Sequence, residues 1–479
     1  MIRSFIKDSA IYAIPSIVSR GLAVILIPLY TRVLTPADFG SFDLFIAFAS
    51  LVNLTVALEV SQGVARFYST ENDVERRVVY ASSAFWFTAF CYAIFLIVSL
   101  IANKELSRLI MGRDGVETSF QIGVIYIFIN GLFYLIQNQF RWELRSRHYA
   151  VVSMSVTIVT ALLSVFFTYV LGWGLYGLLL GMAGGVLIGC IYGLWYLKNS
   201  FRFQFQWLRL KEMLTFSAPL VPSGIAVFIT LYIDRLMINH FLSVDEVGLF
   251  GIGYRFASMV GLVMVGFQGA LTPLIFSNYQ DEQTPRQLAV IFRGFIVFSL
   301  LIFLSLSLFA SEILYLMTTP AYYQAASIVI FLTPAILLSN MYIFAPGIGI
   351  AKKTYLIFYI NIGGAILNVA LNWVLIPKFG ISGAAIATLL SYAGVFFAYM
   401  QLSQKLYFVP HQWRPIFFAV VISGLLAYWI PKLEMSFSVG IILKLLAIVL
   451  VCLFFVLVGL VKISELRQVR TSITKRFFA

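Results

Sequence analysis

Apolar runs of about twenty residues recur along the whole chain, separated by short segments that carry most of its charge. A helix that spans a bilayer needs roughly 20 consecutive, mostly apolar residues, and only helices and closed barrels satisfy their backbone polar groups in hydrocarbon. Reading for runs broken by charge, Gly or Pro yields about fourteen such segments. The composition points the same way: of 479 residues, 61% are apolar and 11% charged, whereas a soluble domain is about 25% charged. Soluble enzymes, nucleic-acid binders and disordered scaffolds are excluded on this ground. The expected fold class is an all-α polytopic membrane protein. The three cysteines, Cys91, Cys190 and Cys452, lie inside apolar runs and define no disulfide framework.

The net charge of +13 reads as membrane topology, because cytoplasmic loops carry an excess of Lys and Arg. With the N-terminus inside, the inner segments hold Arg3 and Lys7, then Arg66, Arg76 and Arg77, then Arg141, Arg145 and Arg147, and so on to Lys352 and Lys353 and a basic tail. The outer segments hold far fewer, among them Arg32, Lys104, Arg108, Arg113, Lys378 and Lys432. Both termini are therefore expected in the cytoplasm. Arg3 and Lys7 before an apolar stretch resemble the start of a signal peptide. The stretch is too long and lacks a small-residue cleavage site, so a retained first span is expected.

The opening of the chain recurs about two hundred residues on. Leu34-Thr35-Pro36-Ala37-Asp38-Phe39-Gly40 aligns with Leu242-Ser243-Val244-Asp245-Glu246-Val247-Gly248, and each copy has a Ser or Thr followed three residues later by an acid, the pattern of a helix N-cap. Along the same register Ala49-Ser50 meets Ala257-Ser258, Gln62-Gly63 meets Gln268-Gly269, and Gly174-Leu175-Tyr176-Gly177 meets Gly380-Ile381-Ser382-Gly383. An even number of spans separates the copies, so they share one orientation, as in the parallel repeats of secondary transporters. The expected layout is a six-helix lobe over 1–200, an interfacial linker over 201–213, a second six-helix lobe over 214–405, two extra helices over 406–461 and a basic tail over 462–479.

The stretches PLYTRVLTPADFGSFDL at 28–44, QGVARFY at 62–68 and NVALNWVLIPKFGISGAAIATLLSY at 368–392 resemble the polysaccharide transporter family, the O-antigen flippases of Wzx type. That family belongs to the multidrug, oligosaccharidyl-lipid and polysaccharide exporter superfamily. The resemblance implies two six-helix lobes around a central cavity, moving a polyprenyl (undecaprenyl) diphosphate-linked oligosaccharide between leaflets of a bacterial inner membrane by alternating access. It implies the bilayer as partner, with polysaccharide polymerase and chain-length machinery as candidate associates, and no nucleic acid. No cofactor is implied; a proton gradient, a sodium gradient or the membrane potential would drive the cycle.

Charges inside spans are costly, about 2.5–3.5 kcal/mol each on the insertion scale, and so demand a partner or a wet cavity. Arg20 lies near the middle of the first span and either faces the cavity to hold substrate diphosphate, as the resemblance implies, or pairs with Asp43 or Glu59. Asp234 and Arg255 fall at similar depth on a helical hairpin and could bridge, which leaves Arg235 as the free member, since adjacent helix positions point about 100° apart. The substrate-binding candidates are thus Arg20, Arg235, Arg255, Asn368 and Asn372. Asn361, Asn368 and Asn372 are spaced to share one helix face, for interhelical bonds or for sugar contact. Asp43, Glu59 and Asp234 are candidate ion-coupling carboxylates. Arg66, Lys352 and Lys353 flank inner span ends, as topology determinants or as contacts at the inner mouth. Lys444, near the outer end of its span, is expected to snorkel.

Two other functions remain to be weighed. A cation-coupled exporter of drugs or metabolites would share the fold, but it predicts an acidic cavity where this chain's deep charges are mainly basic. A membrane enzyme would show catalytic carboxylates on a large outer loop. The outer acids Asp245 and Glu246 are explained by a helix cap, and no metal cluster, nucleophile triad or phosphate-binding Gly loop appears. A transporter is expected rather than an enzyme.

Overall fold

The computed structural model describes residues 14–461 apart from 16, 262, 263, 265–270, 273 and 274. Arg3 and Lys7, the Gln268-Gly269 match and the basic tail over 462–479 lie outside the described residues. The described residues are overwhelmingly helical and contain no strand. Eleven helices among them are long and apolar enough to cross a membrane. The other expected spans are a shorter helix at Ile17–Tyr30, a segment from Val244 onward that is only partly described, and the second half of a 52-residue run. Gly380, at φ 58° and ψ −142°, breaks that run into two helices, a conformation open to glycine and strained for other residues.

Contacts divide the chain into two compact units, one comprising residues 1–252 with 317–322, the other 253–316 with 323–479. The first contains α1 (Ile17–Tyr30), α2 (Pro36–Thr55), α3 (Val60–Thr70), α4 (Val74–Ile101), α5 (Asn103–Met111), α6 (Glu117–Trp142), α7 (Ser146–Val165) and α8 (Gly174–Tyr196). It continues through α9 (Trp207–Ser217), α10 (Val221–Phe241) and the first turns of α11 (Val244–Ser258). The second unit takes α12 (Thr284–Leu308), most of α13 (Ala310–Met317), α14 (Ala326–Asn340), α15 (Tyr355–Leu406), α16 (Trp413–Trp429) and α17 (Phe437–Leu457).

Local chemistry explains where these helices start. The Asp38 amide donates to Thr35 Oγ1 at 3.2 Å and the Thr35 amide to Asp38 Oδ2 at 2.9 Å. This closes a capping box in front of Pro36, whose missing N–H costs nothing in the first turn. In the second copy the Glu246 amide donates to Ser243 Oγ at 3.3 Å. Close packing of α7 on α8 uses glycines in successive turns: a Cβ on Gly181 would fall 2.3 Å from Ser164 N, and one on Gly185 would fall 2.0 Å from Thr160 Oγ1. Small residues let membrane helices approach backbone to backbone, where apolar side chains gain nothing over lipid.

One sequence expectation, that Lys444 snorkels, changes here, and two local details are added. The second span stops at Thr55, and Leu58 and Glu59 both take left-handed conformations, φ 48° and 51°, before α3 begins. Such residues cost about 1–3 kcal/mol each and persist only where surrounding contacts impose them. Beyond this break α3 packs closely on α9, where a Cβ on Gly63 would lie 2.8 Å from Met213. The linker over 201–213 is non-helical only through Gln206; from Trp207 it is helix. Its first part is pinned to α4, because the Arg202 amide donates to Ser82 Oγ at 2.9 Å and the Gln206 amide to Ser83 Oγ at 3.0 Å. Lys444 does not snorkel: it is 6% exposed and paired with Glu312. A carboxylate alongside outcompetes a stretch to the surface.

Candidate functional site

A polar cleft of about 380 Å³ opens between α1, α6 and α7, lined by Ser19, Arg20, Gln137, Tyr149, Ser153 and Thr157 together with apolar side chains. Its polar wall is fixed by its own hydrogen bonds. Gln137 Nε2 donates to Ser153 Oγ at 2.7 Å, Ser153 Oγ to the Tyr149 carbonyl at 2.7 Å, and Thr157 Oγ1 to the Ser153 carbonyl at 2.9 Å. Arg141 donates to the Tyr149 hydroxyl at 2.6 Å and stacks its guanidinium 4.5 Å from the ring centre, which fixes the orientation of Tyr149. Arg20 is exposed at the edge of this wall and has no ion-pair partner among the described residues. A guanidinium beside fixed amide and hydroxyl groups can hold an oxyanion through its planar fork while the wall takes up hydroxyl groups.

Asp43 is not available to Arg20. Its Oδ2 lies 3.6 Å from Arg235 Nε, with the two side chains 6% and 10% exposed. Arg235 also donates to the Leu231 carbonyl at 3.1 Å and lies 5.7 and 5.9 Å from the Tyr232 and Phe250 rings. The expectation that Arg235 is the free member of its group is therefore corrected. Spacing within α10 is blind to a partner on α2, which only packing brings alongside. Nearby, Ser50 Oγ and the Tyr232 hydroxyl share a bond of 3.0 Å.

The remaining sequence candidates are spread out. Asp234 is buried in α10, and Arg255 is half-buried in the last turn of α11. Asn368 and Asn372 are both buried in α15, with Asn372 Nδ2 donating to Asn368 Oδ1 at 3.2 Å, while Asn361 is exposed on the same run. Glu59 sits half-buried in the break after α2. Arg66 places its guanidinium 5.0 Å from the Phe216 ring. Lys352 and Lys353 are exposed just before α15, with Lys352 at φ 56°. The cleft residues Gln137, Tyr149 and Ser153 were missed from sequence. The run Gln137-Asn138-Gln139 near the C-terminal end of an otherwise apolar helix was the available signal, since polar side chains in spans face protein or a cavity.

Residues 5–279 match the family model described as "Polysaccharide biosynthesis protein". The chain belongs to that family. Residues 219–374 also match the MatE model. The chain is 24% identical over 275 residues to the succinoglycan biosynthesis transport protein ExoT of Rhizobium meliloti, covering 56% of this chain and 53% of that one. It is 23% identical over 221 residues to a probable low-salt glycan biosynthesis flippase, Agl15, of Haloferax volcanii, covering 45% of this chain and 46% of the other. The aligned stretch thus spans about half the length of these two relatives. In fold it resembles the lipid II flippase MurJ in an inward closed conformation, with a TM-score of 0.71 and 16% identity over 93% of this chain and 97% of that one. By their names the two relatives are a transport protein and a probable flippase and the structural neighbour is a flippase, while the chain itself is a multi-span membrane protein of the polysaccharide biosynthesis family.

Proposed function

We propose that the protein flips a lipid-linked oligosaccharide, with a polyprenyl diphosphate carrier, from the cytoplasmic to the outer leaflet of a bacterial inner membrane by alternating access. The observation that carries this reading is the cleft at Arg20, where a guanidinium with no ion-pair partner among the described residues stands beside a fixed wall of Gln137, Tyr149, Ser153 and Thr157. Arg20 would take the diphosphate, the wall the first sugar hydroxyls, and the lipid tail would stay in the bilayer. Arg255, Asn368 and Asn372 are further proposed contacts. Arg235 can join them only once it leaves Asp43.

The layout proposed is six helices, six helices and two more, with both termini in the cytoplasm and Arg66, Lys352 and Lys353 at the inner face. Asp43, Glu59 and Asp234 are the carboxylates through which a proton or sodium gradient would act; the membrane potential is the alternative drive. Polymerase and chain-length proteins would work downstream of the flipped product.

A second reading, a cation-coupled exporter of drugs or metabolites, is favoured by the MatE match at 219–374. One experiment separates the two: depletion of the protein in its own cells, followed by mass analysis of polyprenyl diphosphate lipids and their accessibility from outside. Flipping predicts a complete lipid-linked repeat unit confined to the inner leaflet. Unchanged lipid-linked sugars with new sensitivity to cationic dyes would replace it with the exporter.

A further inference from the structure

The first turns of α2 and α11 meet backbone to backbone. A Cβ on Gly40 would stand 1.8 Å from the Val244 carbonyl oxygen, and one on Gly248 would stand 1.9 Å from the Pro36 carbonyl oxygen. These two contacts are images of each other, because the register that aligns Gly40 with Gly248 also aligns Pro36 with Val244. The crossing is therefore self-complementary in the manner of a two-fold dimer interface, but formed within one chain by its two repeat copies.

Unlike the α7–α8 packing, where Gly181, Gly185 and Gly189 extend contact over several turns, the α2–α11 crossing uses one glycine from each helix. Its support comes from polar groups around it. The Ser41 hydroxyl donates to the Met111 carbonyl at 2.8 Å, the Tyr322 hydroxyl donates to the Leu34 carbonyl at 2.6 Å, and Arg113 pairs with Asp38. One turn below Gly40, Asp43 meets Arg235. Two helix N-termini pointing at one crossing bring like ends of their dipoles together, which opposes the contact. The two glycines contribute no side chain of their own to the seam, and water would rehydrate the Asp43–Arg235 pair beneath them when they part. Such a contact is suited to opening and closing.

We propose that this crossing is the outer gate of the transport cycle, closed in this structure by Gly40 and Gly248 and latched by Asp43 with Arg235. The proposal rests on the topology given above, which puts the turns before α2 and α11 outside. It gives Arg235 a role before any substrate contact, since its release from Asp43 accompanies opening.

The test uses the full chain in cells, with Cys91, Cys190 and Cys452 replaced by Ser and a reporter Ser41→Cys at the buried crossing. The probe is a membrane-impermeant maleimide added from outside. The minor state of a two-state protein is populated at about 0.1–10%, so unlatching should raise the labelling rate about tenfold or more. Gly248→Ala and Asp43→Asn should each do so, and the exchanged pair Asp43→Arg with Arg235→Asp should return labelling to the slow rate. A misfolded variant would also label fast, but exchange of the charges would then give no recovery. Labelling that stays slow in both single variants, or an exchanged pair that labels as fast as Asp43→Asn, overturns the gate. Labelling needs no substrate, so failure of the lipid-linked sugar reading would show in the depletion experiment and leave this result standing.

Discussion

Removal of Lys444 tests whether α17 is held by a buried ion pair. Lys444 projects from α17 onto Glu312 of α13, the side chains are 8% and 25% exposed, and the Lys444 ammonium also lies 5.6 Å from the Phe309 ring. Glu312 Oε2 is buried with no hydrogen-bond partner among the described residues, so its carboxylate depends on Lys444. Breaking a buried pair from one side leaves an uncompensated charge and costs about 3–5 kcal/mol, whereas replacing both partners by apolar residues is often neutral. The quarter exposure of Glu312 puts Lys444→Met at the lower end, about 3 kcal/mol. The unfolding free energy from an SDS titration of purified protein should fall by that amount in Lys444→Met, by a similar amount in Glu312→Met, and by much less in the double variant. A loss under about 0.5 kcal/mol in Lys444→Met, the size of an ordinary surface change, would refute burial of the pair and restore a snorkelling lysine.

Three further outcomes are expected. Arg20→Ala should abolish restoration of surface polysaccharide in depleted cells with normal insertion, while Arg20→Lys should rescue it only partly, because an ammonium lacks the planar fork; full activity in Arg20→Ala would end its role. His411, in the loop between α15 and α16, packs 4.5 Å from the Phe292 ring, and burial pushes its pKa from 6.5 down to about 4. Its neutral form is the folded one, so stability should be full above about pH 6.5 and fall between there and pH 4 as only the unfolded chain takes up the proton; thermal melts of His411→Phe should lose that slope. Glu143 accepts from Gln139 at 3.0 Å and from Tyr68 and Ser200, and pairs with Arg145 at 3.0 Å. Glu143→Leu should lower stability by about 1–3 kcal/mol, because it leaves buried donors unsatisfied, measurable by the same SDS titration.

The recurrence of apolar runs and the capping signals were enough to read the helices, since hydrocarbon leaves the backbone so few solutions. Thr35 with Asp38, and Ser243 before Glu246, mark helix starts in the sequence and again in the structure. Arg20 could be singled out because a mid-span arginine is costly wherever it points. The wall that makes its surroundings a cleft could not be, since Gln137 and Ser153 meet only when α6 packs on α7.

Composition, apolar periodicity and the repeat depend on local order along the chain, and so the helical class, the approximate spans and the correspondence of Gly40 with Gly248 were settled before any packing. Pairings across the chain were not. Arg235 chose Asp43 on α2, Lys444 chose Glu312 on α13, and Leu58 and Glu59 turned left-handed without a glycine or proline to announce it. The two ion pairs depend on which helix lies alongside, and buried charge is decided by the neighbour rather than by the segment itself.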